Sequence, residues 1–327
     1  MTFSITETMF GTLPTLTIQG HGARCVLAPR GVTVLSWSVD GVELIDGYAD
    51  QLEFTEQTGM RSAMMIPFSN RIADGRYAFD GVEIDFHAGD DHHAGETVMH
   101  GLVRLADFTI TGIACDDASA TVRLTSDALA RGGLAGYPFE VGLDIDLTVT
   151  ASGLDFTVTG ANLGHTAAPF AAGWHPYFTI GEAPIENLVV TIPAMTRIVS
   201  DTSLIPLVGR AAFETTSGEH DYRSSRVLGH ATLDLAFSDL ARDHNGMSHS
   251  TMTDPASGRT IDVWQERGLM HVFTADTVSR PRKSFAMEPV EVMTNAMNRP
   301  DQAETIKLDP GARRSFRFGA TTTLETS

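Results

Sequence analysis

The chain has 327 residues, of which 42% are hydrophobic, and it is therefore long enough to bury a sizeable core. It carries 41 acidic and 23 basic residues, which gives a formal net charge of −18. This excess of acidic residues argues against a nucleic acid or an anionic membrane surface as the main partner, and it disfavours phosphorylated ligands.

The N-terminus and the two cysteines indicate a soluble, cytoplasmic protein. The opening stretch MTFSITETMFGTLPT lacks the basic start and the apolar run of a secretory signal. No segment approaches the ~20 apolar residues that are needed to span a bilayer. Cys25 and Cys115 each lie in an apolar stretch, which favours two buried free thiols, as expected in a reducing compartment.

Apolar residues recur at every second position in the segments that flank the turns. Asp40-Gly41 and Asp80-Gly81 are each bordered by such alternation, and a two-residue Asp-Gly connection between alternating segments predicts a β-hairpin. A third hairpin is predicted from Tyr137 to Val158, with its turn at residues 151–153.

The chain as a whole reads as an all-β protein. No window of twelve or more residues shows a helical stripe, and 30 glycines and 14 prolines interrupt the chain every few residues. Many strands with frequent turns are typical of a large, mostly antiparallel β-sandwich. No linker or break in composition divides the sequence, so residues 1–327 are expected to form a single domain.

Four polar side chains between residues 70 and 104 stand in apolar surroundings that suit a binding site. Asn70 and Arg71 lie between Phe68 and Ile72, and the guanidinium could grip two hydroxyls or a carboxylate. His100 precedes a glycine that permits close approach of the backbone, and Arg104 follows at strand spacing. Taken singly, each of these residues is also explained by a structural role, which spacing alone favours.

The remaining candidates lie further along the chain. His175 stands in GWHPYFTIG, and Asp234 stands in LDLAFSDL, where it faces either solvent or a cleft. Glu288 ends an apolar strand before a proline, where partial desolvation would raise its pKa towards that of a general base. The alternative for Glu288 is an ordinary solvated glutamate, and Glu291 is expected to lie at the surface.

Other chemistries find little support in the sequence. His87, Asp90, Asp91, His92 and His93 are clustered, but their spacing matches no closed zinc pattern, and we expect no metal there. The chain contains no Gly-x-Ser-x-Gly element, no catalytic cysteine context and no glycine-rich phosphate loop. We therefore expect no cofactor.

Together these elements resemble the aldose 1-epimerase (galactose mutarotase) family. They follow that family's order, and the resemblance spans nearly the whole chain. The matching elements are NRIADGRYAFDG at 70–81, HG at 100–101, WHPYF at 174–178, LDLAF at 233–237, EPVEVMTNAMN at 288–298 and LDPGARRSFRF at 308–318. The resemblance implies a galactose-mutarotase-like supersandwich that acts on a sugar as a monomer or homodimer.

The resemblance also implies a role for each candidate residue. Glu288 matches the general base that takes the C1 hydroxyl proton, and His175 matches the general acid that protonates the ring oxygen. Substrate-binding roles are implied by the same matches for Arg71, His100 and Asp234, with Asn70 beside them. Trp174 could offer an aromatic face to the sugar, although packing within the sheet explains that residue equally well.

Three functions remain open from the sequence. The HG-apolar-x-Arg form ending at Arg104 resembles the branch of the family that acts on hexose 6-phosphates, whereas Asn70-Arg71-Ile72 resembles the branch that acts on free sugars. The negative net charge favours interconversion of the anomers of a free aldose such as galactose or glucose. Alternatives are a hexose-6-phosphate 1-epimerase and a non-catalytic sugar-binding protein.

Overall fold

The computed structural model describes residues 2–90 and 92–325. In chain order its strands are β1 (Ser4–Phe10), β2 (Leu13–Gly20), β3 (Ala23–Ala28), β4 (Thr33–Val39), β5 (Val42–Glu43), β6 (Ala63–Met64), β7 (Arg71–Ile72), β8 (Arg76–Phe79), β9 (Val82–Asp85), β10 (Val98–Met99), β11 (Thr109–Cys115), β12 (Ser119–Ser126), β13 (Val141–Thr150) and β14 (Gly153–Asn162). They continue with β15 (Ala168–Pro169), β16 (Trp174–His175), β17 (Tyr177–Phe178), β18 (Val189–Thr191), β19 (Ala194–Ile198), β20 (Phe213–Thr215), β21 (Arg226–Val227), β22 (Asp234–Leu240), β23 (Ser248–Asp254), β24 (Arg259–Gln265), β25 (Leu269–Phe273), β26 (Phe285–Val290), β27 (Lys307–Leu308) and β28 (Arg313–Leu324).

Helices are few and short. The two α-helices are α1 (Gln51–Thr55) and α2 (Ala303–Ile306). Single 3-10 turns occupy Arg30–Val32, Thr58–Met60, Ala73–Gly75, Ile185–Asn187, Gly209–Ala212, Gly218–His220, Ala296–Asn298 and Pro300–Gln302. Strand accounts for 46% of the residues and helix for 11%, which confirms the all-β prediction.

Three antiparallel sheets account for most of the strands. A nine-stranded sheet has the order β11-β12-β13-β14-β28-β24-β23-β18-β21, and a six-stranded sheet has the order β17-β26-β25-β22-β19-β20. A five-stranded sheet runs β1 to β5, and four two-stranded ribbons complete the set. One hydrophobic cluster contains buried residues from Phe3 to Ala320, which supports our proposal of a single domain.

The predicted hairpins form at their predicted turns. Asp40 and Gly41, like Asp80 and Gly81, both have positive φ, as the two-residue turns of tight hairpins require. β13 and β14 pair across residues 151–152, and β13 alternates strictly between buried and half-buried positions. β13 begins at Val141 rather than Tyr137, because Pro138 has no N–H to donate to a ladder.

The cysteine prediction is half right. Both thiols are free, and Cys25 is completely buried on β3. Cys115 is exposed, because it ends β11, which lies at the edge of the nine-stranded sheet. An edge strand has a neighbour on one side only, so an apolar local sequence does not guarantee burial there.

Gly101 is a glycine whose conformation affects the position of a predicted site residue. It follows His100, has a φ of 72°, and a Cβ atom built on it would lie 2.2 Å from the Ile66 carbonyl oxygen. The Leu102 N–H donates to that same carbonyl, so the two segments are held together at this point. The close backbone approach predicted from the sequence is therefore present.

We expect Gly101→Ala to lower the free energy of unfolding by more than ~2 kcal/mol, because it adds a backbone clash to the cost of a positive φ. Gly81→Ala is the matched control, since Gly81 has a φ of 79° but open space around it. Its cost should be about 1 kcal/mol. Urea denaturation measures both values, and equal losses would contradict the clash.

Candidate active site

At β26 the six-stranded sheet is buried on both faces, and one of these faces forms a cavity. All six residues of β26 are buried. Phe285 and Met287 join the main hydrophobic core, while Ala286 and Glu288 alternate with them on the opposite face. Glu288 is 1% exposed and lines the cavity. Glu288 was expected to end its strand, but β26 continues to Val290, and the carboxylate lies buried within the strand.

Neighbouring strands bring three more polar side chains to the same face. Tyr177 lies on β17, His271 on β25 and Asp234 on β22, and all three line the cavity. His271 is the direct cross-strand partner of Glu288. Because side chains alternate along each strand, the residues adjacent to these in sequence face the core instead.

His175 enters the cavity from a separate ribbon formed by β16 and β6. Its neighbour Trp174 points the other way and is fully buried in the core, with its ring centroid 5.0 Å from that of Phe156 and 6.1 Å from that of Phe318. Trp174 is not among the described lining residues of the cavity, and its burial agrees with the packing alternative that the sequence left open. Tyr177 stacks on His175 at 4.9 Å and is the aromatic residue of the cavity wall.

Asn70, Arg71 and His100 approach from the β7–β10 ribbon. Asn70 and His100 both have a left-handed backbone, with φ of 55° and 58°, and the His100 N–H donates to the Asn70 carbonyl at 2.8 Å. Arg71 Nη1 donates to Asn70 Oδ1 at 2.9 Å, which fixes the guanidinium. Two turns in unusual conformations therefore present these side chains together.

The cavity has a volume of about 220 Å³. This lies below the roughly 300–1,000 Å³ of pockets for drug-sized ligands, and it suits one small ring. Its lining residues are Gln57, Gly59, Met60, Asn70, Arg71, Met99, His100, His175, Tyr177, Asp234, His271, Phe273, Thr277 and Glu288. Every predicted site residue except Trp174 is in this set.

Glu288 and His175 form a close acid–base pair. Glu288 Oε1 lies 3.4 Å from His175 Nε2. Within residues 2–90 and 92–325, the other polar atom of each side chain, Glu288 Oε2 and His175 Nδ1, is buried without a hydrogen-bond partner. Buried polar atoms are nearly always paired, so two unpaired ones at one point indicate groups that are held ready for a ligand.

Burial dominates the ionisation of this pair. It raises the pKa of Glu288 to about 7, because the carboxylate loses its hydration. It lowers the pKa of His175 to about 3, with a further contribution from the positive charge of His271. Near neutral pH the carboxyl of Glu288 is therefore poised between its two forms, whereas burial favours a neutral His175.

The pKa values of the other two histidines of the cavity are shifted in opposite directions. Burial, helped by the His175 charge, holds the pKa of His100 well below its usual range, and its Nδ1 lies 3.0 Å from the Met65 sulfur. Burial would also lower the pKa of His271, but the carboxylates of Glu288 and Asp234 outweigh it and raise that pKa. His271 Nε2 donates to Asp234 Oδ1 at 2.9 Å.

Sequence reasoning missed His271 and misplaced two other residues. A lone histidine in the apolar strand LMHVF gave no signal of its own; only its register opposite Glu288 reveals it. Glu291, expected at the surface, is 4% exposed, because Arg267 and Arg314 both reach its carboxylate. Arg104 is absent from the described lining of the cavity.

The histidine-rich loop contributes nothing to this site. Asp91 lies outside the described residues, and His93 Nδ1 contacts Asp90 at 2.7 Å. In the part of the chain that the structure describes, no group of three or more His, Cys, Asp or Glu side chains is arranged to hold a metal ion. The described helices include none that is long and apolar enough to cross a membrane.

We expect Glu288→Gln to stabilise the protein at alkaline pH and not at acid pH. The raised pKa means that the native state keeps a proton that the unfolded chain loses, so stability falls as the pH rises from 4.5 to about 7. The amide escapes this loss, which amounts to about 3 kcal/mol above pH 7. Urea denaturation at pH 4 and pH 8 measures the difference.

Glu304→Gln is the control for this measurement, because Glu304 is exposed on α2. It should change stability little and equally at the two pH values. A Glu288→Gln variant whose advantage over the wild type was the same at pH 4 and pH 8 would contradict a raised pKa.

Comparison with known proteins supports one family across the chain. The Aldose 1-epimerase family profile matches residues 14–321. The chain is 23% identical over 345 residues to a galactose mutarotase from Sus scrofa, covering 94% of this chain and 95% of that one. It is also 23% identical over 236 residues to the uncharacterized protein YihR from Escherichia coli strain K12, covering 72% and 71% of the two chains.

Solved structures agree on the fold. A galactose mutarotase-like protein from Clostridium acetobutylicum superposes with a TM-score of 0.85 at 17% identity, covering 99% of both chains. A galactose 1-epimerase from Lactobacillus acidophilus superposes with a TM-score of 0.82 at 14% identity, again over 99% of both. The supersandwich prediction is confirmed, and with the profile match over residues 14–321 it follows that this chain belongs to the aldose 1-epimerase family.

Proposed function

We propose that the protein is an aldose 1-epimerase that interconverts the α and β anomers of a free aldose such as galactose or glucose. The observation that carries the proposal is the Glu288–His175 pair, with 3.4 Å between the carboxylate and the imidazole, in a cavity the size of one sugar ring. Membership of the epimerase family supports the same reaction class.

The pair would open the ring by moving one proton in and one proton out. Glu288 takes the proton of the C1 hydroxyl, a C1=O double bond forms, and the bond between C1 and the ring oxygen breaks while His175 protonates that oxygen. Rotation about the C1–C2 bond then presents the other face of the aldehyde. The reverse transfers close the ring and return both protons, so no net proton is consumed.

The reactive form of the pair is a carboxylate beside an imidazolium. A pKa of about 7 for Glu288 places this base near the optimum for proton transfer at neutral pH. Burial disfavours the imidazolium of His175, but the Glu288 carboxylate 3.4 Å away offsets part of that cost. Because the two groups interact at this distance, they titrate as a unit rather than as separate sites.

The surrounding side chains would hold the sugar. Arg71 and Asn70 form a fixed donor group, Asp234 offers a carboxylate to the hydroxyls, and His100 lies with its ring centroid 4.9 Å from that of His175. Donors that are fixed before the reaction stabilise developing charge most effectively. The Tyr177 ring supplies an apolar face for the C–H surface of the sugar.

The charges of the cavity favour an unphosphorylated substrate over a hexose 6-phosphate. Arg71 is the one arginine among the described lining residues, which include no lysine, and it faces the carboxylates of Asp234 and Glu288. Arg104, whose sequence context suggested the phosphosugar branch, is not part of that lining. The same two carboxylates also offset the positive charge of His271 when it is protonated, so a phosphate dianion would meet little net positive charge. A non-catalytic sugar-binding role would leave the poised acid–base pair without a use.

We expect Glu288→Gln and His175→Asn each to lower kcat for anomer interconversion by at least ~100-fold, because each removes one of the two proton transfers. The measurement is NMR of α-to-β interconversion, run on galactose, glucose and pentoses and on their phosphorylated forms. The free sugars should turn over faster than the phosphosugars.

Glu304→Gln and His230→Asn are the matched controls, because both side chains are exposed and outside the cavity lining. They should retain the wild-type rate. Wild-type rates in both active-site variants on the best substrate would overturn the acid–base assignment, and turnover confined to phosphosugars would favour the hexose-6-phosphate alternative. Binding of sugars without any interconversion would favour the non-catalytic role.

A further inference from the structure

His271 lies between the proposed base and a carboxylate that fixes its orientation. It is 7% exposed, it stands opposite Glu288 in the register of β25 and β26, and it donates to Asp234 on β22. We propose that His271, held by Asp234, is a positive charge built into the sheet that keeps the general base Glu288 ionised, so that His271 acts as a positioning residue for the epimerase reaction. This inference rests on the proposed function of Glu288.

The sheet geometry fixes how close the two groups lie. Directly opposed residues of an antiparallel pair have Cβ atoms about 4.5–5.5 Å apart, on the same face. Backbone hydrogen bonding, rather than a flexible loop, therefore holds the imidazole of His271 beside the carboxylate of Glu288. Charges at such separations change each other's ionisation strongly in a site that excludes water.

Asp234 determines which form of His271 occupies this place. The hydrogen bond from Nε2 to Oδ1 is 2.9 Å long, and it requires a proton on that nitrogen in either the neutral or the charged ring. A carboxylate on this proton orients the ring, as it does for histidines that are bound to metals. Its negative charge also favours the imidazolium form of His271. The pKa of Asp234 is correspondingly lowered: although burial opposes the shift, the bond from His271 outweighs it.

The titratable and charged groups around His271 come from five separate segments of the chain. The titratable and charged groups that act on it are Asp234 on β22, Glu288 on β26, His175 on β16, Arg71 on β7 and His100 after β10. The two carboxylates raise the pKa of His271 against burial and against Arg71. The same imidazolium lowers the pKa of Glu288 and that of His175. One charge therefore biases the whole acid–base pair towards losing protons.

Removal of that charge has a signature that a purely structural residue would not produce. Without it both members of the pair hold their protons more tightly, so the entire profile of kcat against pH moves to higher pH. Loss of packing or of a sugar contact instead lowers kcat or raises KM by the same factor at every pH. The position of the pH optimum, and not the height of the profile, is the decisive readout.

The first test compares His271→Gln with His271→Lys on the best sugar substrate. Glutamine keeps a donor for Asp234 without the charge, and its optimum should move up by about one pH unit, with a roughly tenfold change in the ratio of kcat at pH 6 to kcat at pH 8. Lysine keeps both donor and charge, and it should restore the wild-type optimum. The exposed His230→Gln is the control and should leave the profile unchanged.

The second test requires no enzyme activity. In the wild-type protein, NMR of ¹⁵N-labelled histidines should show His271 with both ring nitrogens protonated in most molecules at pH 6.5, and the missing signal in His271→Gln would assign it. A neutral His271 at that pH, or an optimum in His271→Gln that does not move, would overturn the proposal. If no sugar is interconverted by the wild type, the proposed function fails, while the NMR result still decides the charge of His271.

Discussion

Burial of a carboxylate on β26, a strand with no solvent-facing side, is the constraint on which the site depends. Glu288 is 1% exposed because β26 has the protein core on one face and the cavity on the other. Desolvation raises the pKa of this carboxyl to about 7. It also makes the native state with an ionised Glu288 less stable than a native state with a neutral residue at that position. The activity we propose and this local destabilisation have one physical cause.

The groups around Glu288 come from segments that are far apart in sequence and are positioned by two different means. Strand register places His271 and Asp234, whose neighbours on the same strands serve the core. Left-handed turns place Asn70 and His100, and Gly101 allows the second turn to approach the Ile66 carbonyl. Alternation of side chains along the strands thus positions His271 and Asp234. Strained backbone, held in place by close packing, positions Asn70 and His100.

Much of the fold was predictable from local patterns, because alternation and Asp-Gly turns act over a few residues. The proposed acid–base pair was also predictable, since Glu288 and His175 lie in motifs that the family resemblance identifies. The errors arose where distant partners decide the outcome. Glu291 is buried because two arginines that are remote in sequence contact its carboxylate. His271 lies beside Glu288 only because of a non-local strand pairing. The local sequence also gave no sign that Trp174 points away from its neighbour His175.

The place of β28 in the nine-stranded sheet has a consequence for synthesis of the chain. This strand lies between β14 and β24, so these two strands cannot be joined until residues 313–324 have left the ribosome. Arg314 on β28 also reaches the carboxylate of Glu291, three residues after the proposed base. Strand pairings between segments as distant in sequence as β14 and β28 form slowly. A nascent chain therefore carries an open sheet and an incompletely anchored candidate site until β28 is made.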